Sequence, residues 1–229
     1  NTTQIGALTS SQLPALTSAQ IQALTTAQVV ALPTAYISSL TNTQLNAMSL
    51  SQIQALTPSQ IANLSATQVA SLPTADISSF STAQLNALIK AQIQALSTSQ
   101  LSAISLSKLL SLSNSQIGYL TTQQIASLPD TFITGLSTSQ ISALSGSQLS
   151  ALTASQLSQL SVSQLSALSN TQIAILDAKQ FIAFSAEQRQ AFSTTQVSEM
   201  TSPQQKQLLG LTVADAGVPA SLTGNSTAD

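Results

Sequence analysis

Every eighth residue from Leu8 to Leu208 is apolar, and no insertion or deletion breaks that phase. The unit reads Leu-(Thr/Ser)-x-x-Gln-(Ile/Leu/Val)-x-(Ala/Ser), so two bulky aliphatic positions return at fixed spacing in each octad. A strict short period marks a repeat array, in which one unit cannot bury its apolar face alone and neighbours must stack. It also excludes one continuous helix. Eight residues at about 3.6 per turn rotate the apolar stripe by roughly 80° per repeat, so no face stays buried. Disordered low-complexity chains repeat too, but they lack bulky aliphatic residues in phase.

Within the octad, Ser or Thr followed three residues later by Gln has the form of a capping box. The hydroxyl accepts the Gln backbone N–H, and the Gln side chain reaches back to the N–H of the cap. The flanking apolar pair, five residues apart, has the spacing of a hydrophobic staple. Thr9/Gln12, Thr17/Gln20, Thr25/Gln28 and Ser97/Gln100 carry this grammar. Pro stands at the cap position in Pro33, Pro73 and Pro129, and the residues three further on are Tyr36, Asp76 and Phe132 instead of Gln. A proline cap has neither a hydroxyl nor an N–H, so the two partners of the box disappear together. The pattern therefore predicts an all-α fold: a solenoid of very short helices, one or two turns each, one per octad. A β-solenoid is the competing architecture, since short repeats and Ser/Thr ladders suit parallel β-coils. The abundance of Ala and Gln, the scarcity of Gly and the helix-start signals weigh against it.

The coil is expected over residues 1–208, about 26 octads, with residues 209–229 as a non-repeat tail or arm in which Leu211-Thr212-Val213 is a short apolar stretch. The stretch 176–208 differs from the rest. Asp177, Lys179, Glu187, Arg189, Glu199 and Lys206 lie within it, and Arg189 and Gln205 take the place of the aliphatic residue. This segment reads as a polar terminal cap. The first octad begins at Asn1 with no such device, and the missing initiator Met reads as a processed or excised segment.

Charged residues make up 5% of the chain, and His, Cys and Trp are absent. With five basic residues and a net charge of -2 there is no Lys/Arg patch to neutralise phosphates, so nucleic-acid binding is not expected. Apolar runs such as Val29–Leu32 are too short for a membrane span. The acids are dispersed, and there is no Gly-rich phosphate loop and no clustered set of metal ligands. The reading is of a non-enzyme with no cofactor, no metal and no catalytic residues. A Ser107/Lys108 pairing can be drawn on paper, but Lys108 fills a Gln slot. Asn1, Asn63 and Asn225 open Asn-x-Ser/Thr triplets, the acceptor form for N-glycosylation, a form that chance often produces in a Ser/Thr-rich chain.

Octads such as Leu24-Thr25-Thr26-Ala27-Gln28-Val29-Val30-Ala31 resemble the Leu-Thr-x-x-Gln-Ile-x-Ala repeats of large secreted or surface-associated bacterial proteins, over residues 1–208. That resemblance implies an extracellular or cell-surface location and a structural or adhesive role. The stretch Leu56-Thr57-Pro58-Ser59-Gln60-Ile61-Ala62 also resembles the opening of the TAL-effector DNA-binding repeat. Those repeats are several times longer and carry base-reading residues and basic charge that this chain lacks. Three roles follow. The first is a filament, surface or matrix element that self-associates end to end or laterally through rows of Ser, Thr and Gln. The second is a binding solenoid for a glycan, a peptide or a surface. The third, ranked last, is an ice-binding array, because the hydroxyls it would need are already committed as caps.

Overall fold

The computed structural model describes residues 1–210. Among them lie twenty-three short α-helices and two 3-10 helices (Thr34–Ser39 and Ala178–Ala183), with no strand. The chain is an all-α solenoid. Each helix spans five to seven residues and stops one or two residues before the octad's large apolar residue, except Ser202–Leu208, which runs through it.

The geometry of one octad shows why. In Pro58–Asn63 the first helical bond runs from the Ile61 N–H to the Thr57 carbonyl (3.0 Å), and the turn closes when Leu64 N–H donates to Ile61 O (3.1 Å). The junction before it is two extended residues: Leu56 at φ -57°, ψ 129° and Thr57 at φ -69°, ψ 155°. Two residues in this region redirect the chain without a positive φ, which is why the coil turns at every octad with so little glycine. The same φ is the one a pyrrolidine ring imposes, so Pro33, Pro73 and Pro129 fit the cap position at φ -62°, -53° and -65°.

One octad departs from the expected one helix per repeat. Residues 9–16 form turns only. Pro14 sits where an N–H would donate to the carbonyl of Ser10, so the helical bond cannot form there.

Neighbouring turns of the coil meet three octads apart. Lys90–Ala95 packs on Ala66–Ser71 and on Asn114–Tyr119, and Thr98–Ala103 on Thr74–Ser79 and Thr122–Ser127; the same offset recurs along the chain. Small residues allow this approach. Ser142, Ser150 and Ser166 donate their hydroxyls to the carbonyls of Ala167, Ile175 and Ala191, each 25 residues on. Where an aliphatic side chain occupies this surface, glycine faces it: a Cβ on Gly135 would lie 2.7 Å from Leu110, and one on Gly146 would lie 2.4 Å from Ile175. The aliphatic positions of the octads form one continuous core, its Leu position buried from Leu32 to Leu208, and near the C-terminal end Phe181, Phe184 and Phe192 cluster in it with rings 5.5–5.8 Å apart.

Candidate functional site

The residue that organises this coil is the octad's glutamine. Gln60 shows the pattern in full. Its backbone N–H donates to Thr57 Oγ1 (3.2 Å), and its Oε1 accepts the Thr57 N–H (2.8 Å). Its Nε2 turns the other way, donating to Val29 O (2.9 Å) and Leu32 O (3.0 Å) of the turn behind. One side chain thus caps the start of its own helix and the end of another, 28 to 31 residues earlier. Both carbonyls lie where a helix closes and lack the usual partner four residues on; Val29 O also accepts the Leu32 N–H (3.1 Å). Gln60 is fully buried, and among the described residues no buried side-chain N or O lacks a partner.

Eighteen glutamines, from Gln44 to Gln204, make this second contact. Helices therefore pack at 24 residues while glutamines bond at 28 to 31, so one turn of the coil takes between three and four octads. The Nε2 contact spans the turn of the coil, and no pattern within an octad reveals it. It also corrects the expectation that Gln rows serve lateral contacts: from Gln44 on, these side chains are buried or half-buried, with both ends engaged.

Of the pairs singled out in the sequence, Ser97/Gln100 bonds reciprocally at 2.8 and 3.1 Å, and Gln100 Nε2 reaches Val69 O and Leu72 O. Thr17/Gln20 (2.7 and 3.2 Å) and Thr25/Gln28 (2.8 and 3.3 Å) also bond reciprocally. Thr9/Gln12 does so more loosely, at 3.0 and 3.4 Å, in the octad without a helix. Among the described residues the Nε2 atoms of Gln12, Gln20 and Gln28 have no acceptor.

The exceptional slots show which half of the task each residue retains. Lys108 Nζ donates to Ser78 O (2.9 Å), so it supplies the rearward donor while the Ser105 hydroxyl accepts no cap bond. That ammonium is thereby committed to a carbonyl, and Ser107 Oγ meets only Ser105 Oγ at 3.3 Å, so the two do not form a nucleophile–base pair. Phe132 fills its slot with a fully buried ring. Asp76 is buried with its carboxyl held above its ordinary pKa by desolvation. Ile89 stands at a cap position and offers its N–H to Gln92 (2.9 Å) but has no oxygen to return.

Asn1 caps the first helix, its Oδ1 accepting the Gln4 N–H (3.0 Å), and Asn63 is exposed at a helix end with Nδ2 on Ser59 O (2.9 Å). Asn225 and Leu211-Thr212-Val213 lie outside the described residues. Among the described residues no three acidic side chains come together as a metal site, and no helix is long and apolar enough to cross a membrane.

A coil whose turns are tied by one repeated side chain defines a repeat protein of the helical-solenoid class. Residues 1–34, 13–42 and 69–106, together less than half of the chain, match the ALTTAQ repeat family, and Ala23-Leu24-Thr25-Thr26-Ala27-Gln28 spells that motif out. No curated protein matches the chain.

Proposed function

We propose that this chain is a structural rod that contributes to an extracellular filament, cell-surface layer or matrix. The observation that carries this reading is the glutamine ladder. Each turn is bonded to the one behind it by a side chain that nearly every octad supplies, to carbonyls that every octad supplies, so length follows from octad number and no turn is set aside for chemistry. The low charge and the uniform core fit a passive element of constant cross-section. Small-angle scattering and negative-stain microscopy of the dilute protein test this: thin rods of uniform width are expected, and compact globules would overturn it. Immunolabelling of intact producing cells tests the location.

A second reading, a binding solenoid, draws support from the grooves between turns. One is lined by Gln94, Ser97, Thr98, Thr121, Thr122 and Gln123, a hydroxyl- and amide-rich wall suited to sugars. Glycan-array binding that disappears in Thr98→Val/Thr122→Val would favour it.

A further inference from the structure

The ladder is interrupted where Pro129 and Phe132 stand in place of a cap and its glutamine. One octad earlier, Gln124 Nε2 donates to Ile93 O and Leu96 O, both at 2.8 Å, and lies 3.5 Å from Gln94 O. The octad at 129–136 has no side chain that can do this. Pro129 lacks an N–H, Phe132 is a fully buried ring, and the Ser127 hydroxyl is spent on Gln124 O (2.8 Å). Of the three carbonyls that a glutamine at 132 would meet, Leu101 O keeps its bond from the Ile104 N–H (3.1 Å), while among the described residues Ser102 O and Ile104 O accept no hydrogen bond. Ile104 is buried, and a carbonyl left without a donor there is costly.

A cavity of about 410 Å³ opens at the same place, lined by Ser102, Ile104, Leu106, Leu109, Ser127 and Pro129. It is the hydroxyl-lined groove of Thr98 and Thr121 moved on by one octad, with Leu106 and Pro129 standing where that groove has the two threonines. The wall is thereby apolar, and Leu109 brings the core itself to the cavity floor. Its volume is that of a site for a small organic molecule. The lining holds no charged side chain, which favours a neutral occupant. The apolar wall suits a hydrophobic ring, and the two idle carbonyls call for N–H donors. Elsewhere in the coil the group that meets these carbonyls is a primary amide. Ser102, exposed at the rim, brings a hydroxyl able to donate to the oxygen of such an amide.

We propose that this cavity binds a small neutral carboxamide carried on an apolar ring, its NH2 group taking the place of the missing glutamine amide on Ile104 O and Ser102 O. The site belongs to one pair of octads and stands whether the chain as a whole is a rod or a sugar-binding coil. Benzamide and acetophenone are the probes, since they share one shape and differ in that a methyl group replaces the NH2. Titrated into the methyl-labelled chain and followed by NMR, benzamide should shift the methyl resonances of Ile104, Leu106 and Leu109 with about millimolar affinity, and acetophenone should bind about ten-fold more weakly. P129T/F132Q restores the octad consensus and supplies the rearward donor from within, so it should keep its helical circular dichroism and lose benzamide binding. Leu106→Ser, at an exposed position outside the core, should weaken binding while leaving the ladder as it is. The proposal is overturned if benzamide leaves the three residues unmoved, if acetophenone binds as tightly, or if folded P129T/F132Q binds benzamide as the unaltered chain does. Should P129T/F132Q lose its helical signal, Leu106→Ser decides, and undiminished binding to it overturns the site.

Discussion

A glutamine in this coil has three hydrogen-bonding tasks at once, and no other residue has the atoms for all three. The side chain must accept from the cap N–H and donate twice to carbonyls of the preceding turn. Glutamate accepts but cannot donate, lysine donates but cannot accept, and asparagine is one methylene short. Gln60→Glu keeps the bond to Thr57 while placing a carboxylate against Val29 and Leu32 carbonyls in a fully buried slot. The loss expected is about 2–3 kcal/mol at neutral pH, measured by urea unfolding, against a much smaller loss for the exposed Gln12→Glu. Asp76 gives the native protein a related pH dependence. Burial raises its pKa above 3.8, so the folded state holds this proton more tightly than the unfolded chain does. Its contribution is therefore most favourable in acid and is lost as pH rises from about 3.8 through the elevated native value. Asp76→Asn, of equal size and uncharged, should flatten this part of the profile and raise the neutral-pH melting temperature, as read by circular dichroism melts from acid to neutral pH.

At the scale of the helix, the weak point is the restart of winding after each Leu. A helix of five or six residues is far below the length that is stable alone in water, so its caps and the turns above and below decide whether it forms. Ile89 is the informative case. Its backbone already has cap geometry (φ -86°, ψ 167°), yet it is half exposed and offers no acceptor to the Gln92 N–H. Ile89→Thr supplies the hydroxyl and removes an exposed apolar group. It should stabilise the coil by about 0.5–1 kcal/mol in urea titrations, whereas Ser97→Ala should cost about 1 kcal/mol. The all-helical fold class was legible because its signals are local: the apolar pair five residues apart, the hydroxyl three before the glutamine, and prolines at three cap positions where φ already suits them. Octad 9–16 fits the consensus at Thr9, Gln12 and Leu13, and its failure to form a helix comes from Pro14, at a position the consensus leaves open. The rearward half of the glutamine's task was not legible. It joins residues 28 to 31 apart, and that offset is set by how helices cross in space, a quantity no eight-residue motif contains.

For the molecule as a whole, the consequence is that phase matters more than length. In a quasi-one-dimensional array each unit answers only to its near neighbours, so a unit can be removed if those left behind still find equivalent partners. Removing residues 65–72, one complete octad, moves Gln84 from the carbonyls of Ile53 and Leu56 to those of Leu45 and Met48, which are also the closing carbonyls of an octad. Gln92 moves in the same way onto Ile53 and Leu56. Every later side chain keeps its surroundings in kind, and the melting temperature should fall by only a few degrees, on the order of the 2–4 °C that 1 kcal/mol shifts a domain of this size. Removing residues 65–68 instead carries Gln84 onto the carbonyls of Ser49 and Gln52, and the apolar positions of the two halves no longer meet across the turn. The coil then divides at the cut into two arrays that cannot extend one another, and the circular dichroism melt should broaden or separate into two steps. A four-residue deletion that melts as sharply and as high as the eight-residue one would show that the turns are not held in register by the ladder, because only the register distinguishes the two variants.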